Sequence, residues 1–375
     1  MASSRTRCLS VDEVGFFEGA EKLLEVWFLL SPEPRQPLGD SSKMGLRIIP
    51  RLELEDLLSL VHCKILSHCC SESMDAYLLS ESSLYVSANR FILKTCGTTS
   101  LFHAIEPLIS LVKSYYPQAK VVDLFYSHLS FLKPHLQPHP HHSPNEETAY
   151  LDQIFPNGAA YILGKLNGDS WYLYTLDNLE HPHQVPDQTL EILMLDLDPH
   201  ILSQFSSSVY SSARELTTAM GLQDLIPGAI LDDKIFEPCG YSLNAIVKGD
   251  TYFTVHVTPQ QECSFVSFET NLEQASYDHL IAMVMQLFRP GRCTLSLFAS
   301  KMAKCGSSYE ALQGPNITGY RCNDRQYCKF HFYDLTFAHY SRTTPTSSLG
   351  NGTMPTSVGN GAMPNSYQNE TTPIP

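Results

Sequence analysis

The chain has 375 residues, with 25 lysines and arginines against 39 aspartates and glutamates, a formal net charge of −14. Such an acid excess excludes a nucleic-acid binder held by phosphate contacts and an electrostatic anchor on anionic membranes. Hydrophobic residues make up 43% of the chain, ample for a core, yet no apolar run approaches the roughly 20 residues that span a bilayer.

Residues 1–10 read as an unstructured leader. The apolar stretch Leu23–Leu30 follows Glu18 and Glu21 and is broken by Glu25, so it lacks the basic flank of a signal peptide. Periodicity leaves Glu21–Leu30 open between helix and strand. Helices are expected at Leu52–Val61 and Leu101–Tyr115, and strands at Ala76–Val86 and Arg90–Thr95. From Lys133 to Pro144 the chain carries four prolines and four histidines (His135, His139, His141, His142), read as a flexible polar loop in preference to a metal site.

GAAYILGKLNGDSWYLYTLD reads as two strands about the Asn167-Gly168 turn. A helix is expected over Gln188–Leu195. YSLNAIVKGDTYFTVHVT repeats the hairpin plan about Gly249-Asp250, roughly 80 residues later, which hints at internal duplication. A strand at Phe265–Glu269, a helix over Leu272–Leu287 heralded by Thr270-Asn271, and a strand at Arg292–Phe298 complete the ordered chain. Residues 341–375 are rich in Thr, Pro, Ser, Gly and Asn, with only Arg342 and Glu370 charged, and are expected to be disordered. The pattern predicts one α+β domain over 11–340, a sandwich of antiparallel sheets. The 11 cysteines are odd in number and scattered, with no C-x-x-C pair. Reduced thiols of a cytosolic protein are expected, with no metal site. Phosphate-loop, H-E-x-x-H and G-x-S-x-G motifs are absent from the sequence, leaving nucleotide hydrolysis, zinc proteolysis and lipase chemistry without support.

Four segments are more specific together than apart: FFEGAEKLLEVWF (16–28), YLLSESSLYVSANRFILKTCGTT (77–99), FPNGAAYILG (155–164) and FEPCGYSLNAIVKGDTYFTVHVTP (236–259). From about Phe16 to Tyr340 the chain resembles the eukaryotic S-adenosylmethionine decarboxylases, pyruvoyl-dependent enzymes of spermidine and spermine synthesis. The resemblance implies a four-layer αββα sandwich and a proenzyme. Ser82 would attack the Glu81 carbonyl, and cleavage would give a β chain 1–81 and an α chain from residue 82 headed by a pyruvoyl group. That group would bind the substrate amine as a Schiff base and draw off the electrons left by carbon dioxide, a sink that ordinary side chains lack.

The resemblance further implies Cys96 as proton donor, with Ser242 and His256 assisting processing. Phe17 and Phe236 would sandwich adenine, Glu18 and Glu21 would lie near the sulfonium and reacting centre, and Leu79 and Glu81 would contact the adenosyl group through their backbones. Family members carry a glutamate for the ribose hydroxyls where this chain has Gln260, followed by Gln261 and Glu262. Putrescine, an activator of some relatives, would occupy an acidic cluster of Glu25, Asp187, Thr189, Glu191 and Glu269, walled by Phe298. Lys22 and Lys94 would relay its charge, and His128 stands where activated relatives have arginine. A homodimer of β/α protomers is expected. The alternatives are a weakly active paralogue that activates a partner subunit, or a decarboxylase of another amino acid.

Overall fold

Residues 16–30, 44–177, 186–260, 263–312 and 317–343 are described in a computed structural model of the chain. The expected leader and the tail beyond Thr343 lie outside them. Ser341 and Arg342, assigned to the tail from sequence, instead finish the last strand.

Eight strands build the first sheet: β1 (Lys22–Leu29), β2 (Ile65–Cys70), β3 (Asp75–Leu79), β4 (Ser82–Val86), β5 (Arg90–Thr95), β6 (Lys120–Leu129), β7 (Gly158–Gly164) and β8 (Ser170–Leu176). Eight more build the second: β9 (Gln188–Leu197), β10 (Ile230–Ile235), β11 (Tyr241–Ile246), β12 (Tyr252–Thr258), β13 (Phe265–Thr270), β14 (Pro290–Ser300), β15 (Tyr320–Lys329) and β16 (Tyr333–Arg342). The first runs β2-β3-β4-β5-β1-β6-β8-β7, and the second repeats that order with every number raised by eight. The duplication is therefore real, but the two hairpins that suggested it are not equivalent copies. By position β7–β8 corresponds to β15–β16, whereas β11–β12 corresponds to β3–β4.

Alternation along the strands sorts side chains between layers. On β1, Leu24, Val26 and Phe28 pack beneath α1 (Arg51–Ser59), α2 (Ile105–Tyr115) and α3 (Pro144–Ile154), through Leu54, Leu58, Leu108, Val112 and Leu151. On the second sheet Leu190, Ile192, Val255 and Leu295 meet α4 (Pro199–Gln204), α5 (Ala213–Ala219) and α6 (Asp278–Phe288) through Ile201, Leu216, Ile281 and Val284. Between the sheets lie Trp27, Phe125, Trp171, Leu193 and Phe337 at one end and Ile92, Tyr85 and Tyr252 at the other. The result is the expected four-layer αββα sandwich.

Three elements depart from expectation. Gln188–Leu195 is not a helix but most of β9, a central strand covered on both faces, where an apolar run no longer shows a two-residue period. Ala76–Val86 is not one strand but the hairpin β3–β4, reversing at Ser80-Glu81. The helix expected from Leu272 begins at Asp278, because Thr270 Oγ1 instead bonds the Tyr252 carbonyl and the Leu272 amide. The histidine-rich segment is also more than a flexible loop: His141 is fully buried, its Nδ1 2.7 Å from Glu147.

Candidate active site

The β3–β4 reversal brings several of the expected site residues together. Ser82 opens β4 with φ of +127°, a conformation costing an L-residue about 1–3 kcal/mol. By pleat parity Ser82 would follow Leu84 and Val86 toward the helices. Its hydroxyl instead donates to Glu21 on the inter-sheet side, and Ser267 of β13 donates to the same carboxylate. The preceding carbonyl, that of Glu81, accepts the Cys96 amide at 2.9 Å and lies 3.4 Å from the Cys96 sulfur. A serine hydroxyl and a polarised carbonyl thus flank one peptide bond.

Burial would raise the Glu21 carboxyl, but the Lys94 ammonium at 3.3 Å, with smaller contributions from His256 at 3.8 Å and the two hydroxyls, holds it at about 2, so it is a carboxylate at neutral pH. Burial, helped by Glu21 and Glu81, pushes the Cys96 thiol well above its usual value and keeps its proton on. Ser242 and His256 face one another across the β11–β12 ladder, with His256 Nδ1 2.8 Å from Ser242 Oγ. His256 Nε2 sits 2.8 Å from both Ser83 Oγ and Thr254 Oγ1. Burial pulls the His256 pKa down to about 4, leaving a neutral imidazole. Ser83, Thr254, Asn244 and Ser267 were not singled out from sequence, although Thr254 shares the face of His256 by alternation.

A cavity of about 320 Å³ opens over this centre, lined by Phe17, Glu81, Ser82, Cys96, Phe236, Ser242, His256 and Gln260 among others. Gln260 Oε1 accepts the Phe17 amide at 3.2 Å and lies 3.1 Å from Cys263 Sγ, tying it to the wall that carries Phe17. Gly97 has φ of +64°, and a Cβ there would meet the Phe17 ring at 3.0 Å, so glycine is required beside that ring. Three expected residues, Glu18, Glu21 and Leu79, are not among those that line the cavity; Glu21 lies behind Ser82, whose hydroxyl it accepts. Glu18 is spent on the Leu132 and Lys133 amides, at 2.9 and 3.3 Å, which anchors the loop after β6. The Leu79 side chain lies in the core beneath the helices, as it can for a residue expected to contact the adenosyl group through its backbone. Glu262 lies outside the described residues.

A second, narrow cavity of about 40 Å³ lies between the sheets, lined by Glu25, Asp187, Thr189, Glu191, Glu269 and Phe298 with Phe125 and Trp171. Burial raises the Glu25 carboxyl, and lifts that of Glu191 to about 7. Lys94 joins this cluster to the one around Ser82, 2.8 Å from Glu269 and 3.3 Å from Glu21. The sequence reading missed Arg90, at 2.8 Å from Glu25 and 3.7 Å from Asp187; it shares the inward parity of Lys94 on β5. Lys22 and His128 are not part of this bridge. Lys22 lies on the opposite face of β1 from Glu25, bonding the Gly97 carbonyl at 3.1 Å and Gln137 at 2.9 Å. Ser127, not His128, lines the acidic cavity, and His128 turns to Glu147 and the Leu129 carbonyl, both at 2.8 Å.

An αββα sandwich with a thiol, a neutral imidazole and a strained serine around one cavity defines an enzyme. The adenosylmethionine decarboxylase family profile matches residues 14–341. The S-adenosylmethionine decarboxylase proenzyme of Xenopus laevis is 44% identical over 334 residues, covering 89% of this chain and 97% of that protein. The proenzymes of Caenorhabditis elegans and Drosophila melanogaster are 42% and 40% identical, covering 89% and 88% of this chain and 90% and 97% of their own. Among solved structures, the Trypanosoma brucei AdoMetDC-delta26 monomer superposes with a TM-score of 0.56 at 27% identity, over 70% of this chain and 99% of its own. The chain belongs to the adenosylmethionine decarboxylase family.

Proposed function

We propose that the chain is a proenzyme that cleaves itself between Glu81 and Ser82 and then decarboxylates S-adenosylmethionine, yielding the aminopropyl donor for spermidine and spermine. The supporting observation is the pairing at one peptide bond of a hydroxyl oriented by Glu21 with a carbonyl held by the Cys96 amide. Ser82 Oγ attacks the Glu81 carbonyl carbon, the Cys96 N–H stabilises the developing oxyanion, and the hydroxyl proton ends on the departing nitrogen. His256, neutral and buried among Ser83, Thr254 and Ser242, is suited to take the Ser82 Cα proton, and the ester C–O bond then breaks to release Glu81 as a carboxylate. Water replaces ammonia at the residue left behind, giving β chain 1–81 and α chain 82–375.

The resulting pyruvoyl group at position 82 would supply the electron sink for decarboxylation. Phe17 and Phe236 on the cavity wall would stack on adenine and Gln260 would face the ribose, while the Glu21 carboxylate behind Ser82 would balance the sulfonium charge. Cys96, held as a protonated thiol, returns the proton to the substrate carbon.

Putrescine is assigned to the inter-sheet cavity. Four carboxylates (Glu25, Asp187, Glu191, Glu269) against two cations (Arg90, Lys94) leave two formal negative charges, those a diamine dication neutralises. Assembly as a homodimer and residence in the cytosol complete the reading; among the described residues no helix is long and apolar enough to cross a membrane. Carbon dioxide released from carboxyl-labelled S-adenosylmethionine by the purified protein tests the activity. Release is expected, stimulated by putrescine, and none under any condition would overturn the assignment.

A further inference from the structure

Three donors of different chemistry converge on the outer face of the β2–β3 ladder, away from the catalytic cavity. His68 and Cys70 are two residues apart on β2, so the pleat points both to one side, and the antiparallel register sets Asp75 of β3 opposite Cys70. A His68 ring nitrogen, the Cys70 sulfur and an Asp75 carboxylate oxygen all lie within 4.8 Å of one another. Ligands bonded at about 2.0–2.3 Å to a tetrahedral ion stand roughly 3.3–3.8 Å apart, so side-chain rotation of about an ångström closes the set.

The carboxylate is already held in place. Asp75 is 1% exposed, and its Oδ2 takes the Arg47 Nε–H at 2.7 Å while Oδ1 lies 2.9 Å from His68 Nε2. Arg47 is fixed in turn by the Ser71 and Glu72 carbonyls. A metal-binding carboxylate anchored through its second oxygen is the usual outer support of such sites. The His68 ring stacks on Tyr77 with centroids 4.6 Å apart, and His68 and Cys70 are open to solvent, leaving a path in and a fourth position for water.

We propose that His68, Cys70 and Asp75 bind one soft divalent cation, zinc by ligand preference. On binding, the Cys70 thiol releases its proton to solvent, and the His68 Nε2 proton that faced Asp75 is exchanged through solvent to Nδ1, freeing the Nε2 lone pair for the ion. The ion takes over the His68–Asp75 hydrogen bond and ties β2 to β3, the strand that runs into the Ser80-Glu81 reversal.

Cobalt titration of the full-length reduced chain tests this. A sulfur-to-cobalt charge-transfer band is expected at one equivalent, displaced by zinc, lost in Cys70→Ser and kept in Cys322→Ser, a change at another exposed cysteine. The exposed trio of His139, His142 and Glu146 supplies no sulfur and so cannot produce that band. His68→Ala is expected to weaken zinc binding at least tenfold. In the wild-type chain, zinc is expected to protect Cys70 from alkylation, read by peptide mass without any variant. No band, a band persisting in Cys70→Ser, unchanged zinc affinity in His68→Ala, or unprotected Cys70 would each overturn the proposal.

Discussion

Lys94 is fully buried between two carboxylates of different clusters, and Lys94→Met keeps its length while removing the charge. Glu21 falls from 4.5 to about 2 in the fold, and at 1.36 kcal/mol per pH unit this is worth about 3 kcal/mol. The sign follows from the depressed value: the stabilisation is complete above the unfolded pKa near 4.5 and is lost as pH falls through about 2. Removing one partner of a buried pair costs about 3–5 kcal/mol, because the partner is left uncompensated. The comparison belongs in the uncleaved Ser82→Ala background, which forfeits only the smallest influence holding Glu21 down. Urea unfolding, followed through the buried Trp27 and Trp171, is expected to show Lys94→Met less stable by about 3–5 kcal/mol at pH 7. That gap should narrow toward pH 2, by at most about 3 kcal/mol, because the reference loses its full Glu21 contribution while the variant, with only His256 and Ser267 left to hold Glu21 down, loses less. Equal stability at pH 7, or a gap constant across the whole range, would refute the reasoning.

Further outcomes follow from the same geometry. His256→Ala should stall as an ester that hydroxylamine cuts, and wild-type processing, needing neutral His256, should be flat near neutrality and fall only as pH drops toward about 4; normal processing by the variant would remove the role. Cys96→Ala keeps the backbone N–H on Glu81 and should still cleave, while decarboxylation falls roughly 10²–10⁴-fold; turnover within a few-fold of wild type would contradict its role as acid. Putrescine should raise the melting temperature and bind more tightly as pH rises through about 7, where Glu191 gives up its proton; binding indifferent to pH would separate Glu191 from the site. Asp187→Asn should weaken that binding, and an unchanged melting shift would leave the cluster structural.

The site was legible where chemistry demands particular residue types in local strings. Ser82, Cys96, Ser242, His256, Phe17, Phe236 and Gln260 all line one cavity. It was illegible where the third dimension decides. Arg90 gains its meaning only because β5 lies beside β1, bringing it to Glu25 across the ladder. Glu18 lies only three residues before Glu21, yet ahead of β1 its carboxylate accepts the loop amides of Leu132 and Lys133 while Glu21 meets Ser82. The β9 misreading has a related cause: with Leu190 and Ile192 toward helices and Leu193 and Leu195 toward the other sheet, burial on both faces erases the alternation. The hairpin at Ser80-Glu81 was missed because it lacks glycine, proline and asparagine, the residues by which turns are usually recognised.

The central claim is that Ser82 and Glu81 share a bond the fold is built to break. Intact mass of the purified chain tests it directly, comparing wild type with Ser82→Ala. The wild-type protein is expected as two pieces, residues 1–81 ending in an unmodified Glu81 and residues 82–375 beginning with a pyruvoyl group, and Ser82→Ala as one full-length inactive chain. A wild-type protein that decarboxylates S-adenosylmethionine while remaining a single chain, or a Ser82→Ala chain that cleaves at the normal rate, would contradict the account.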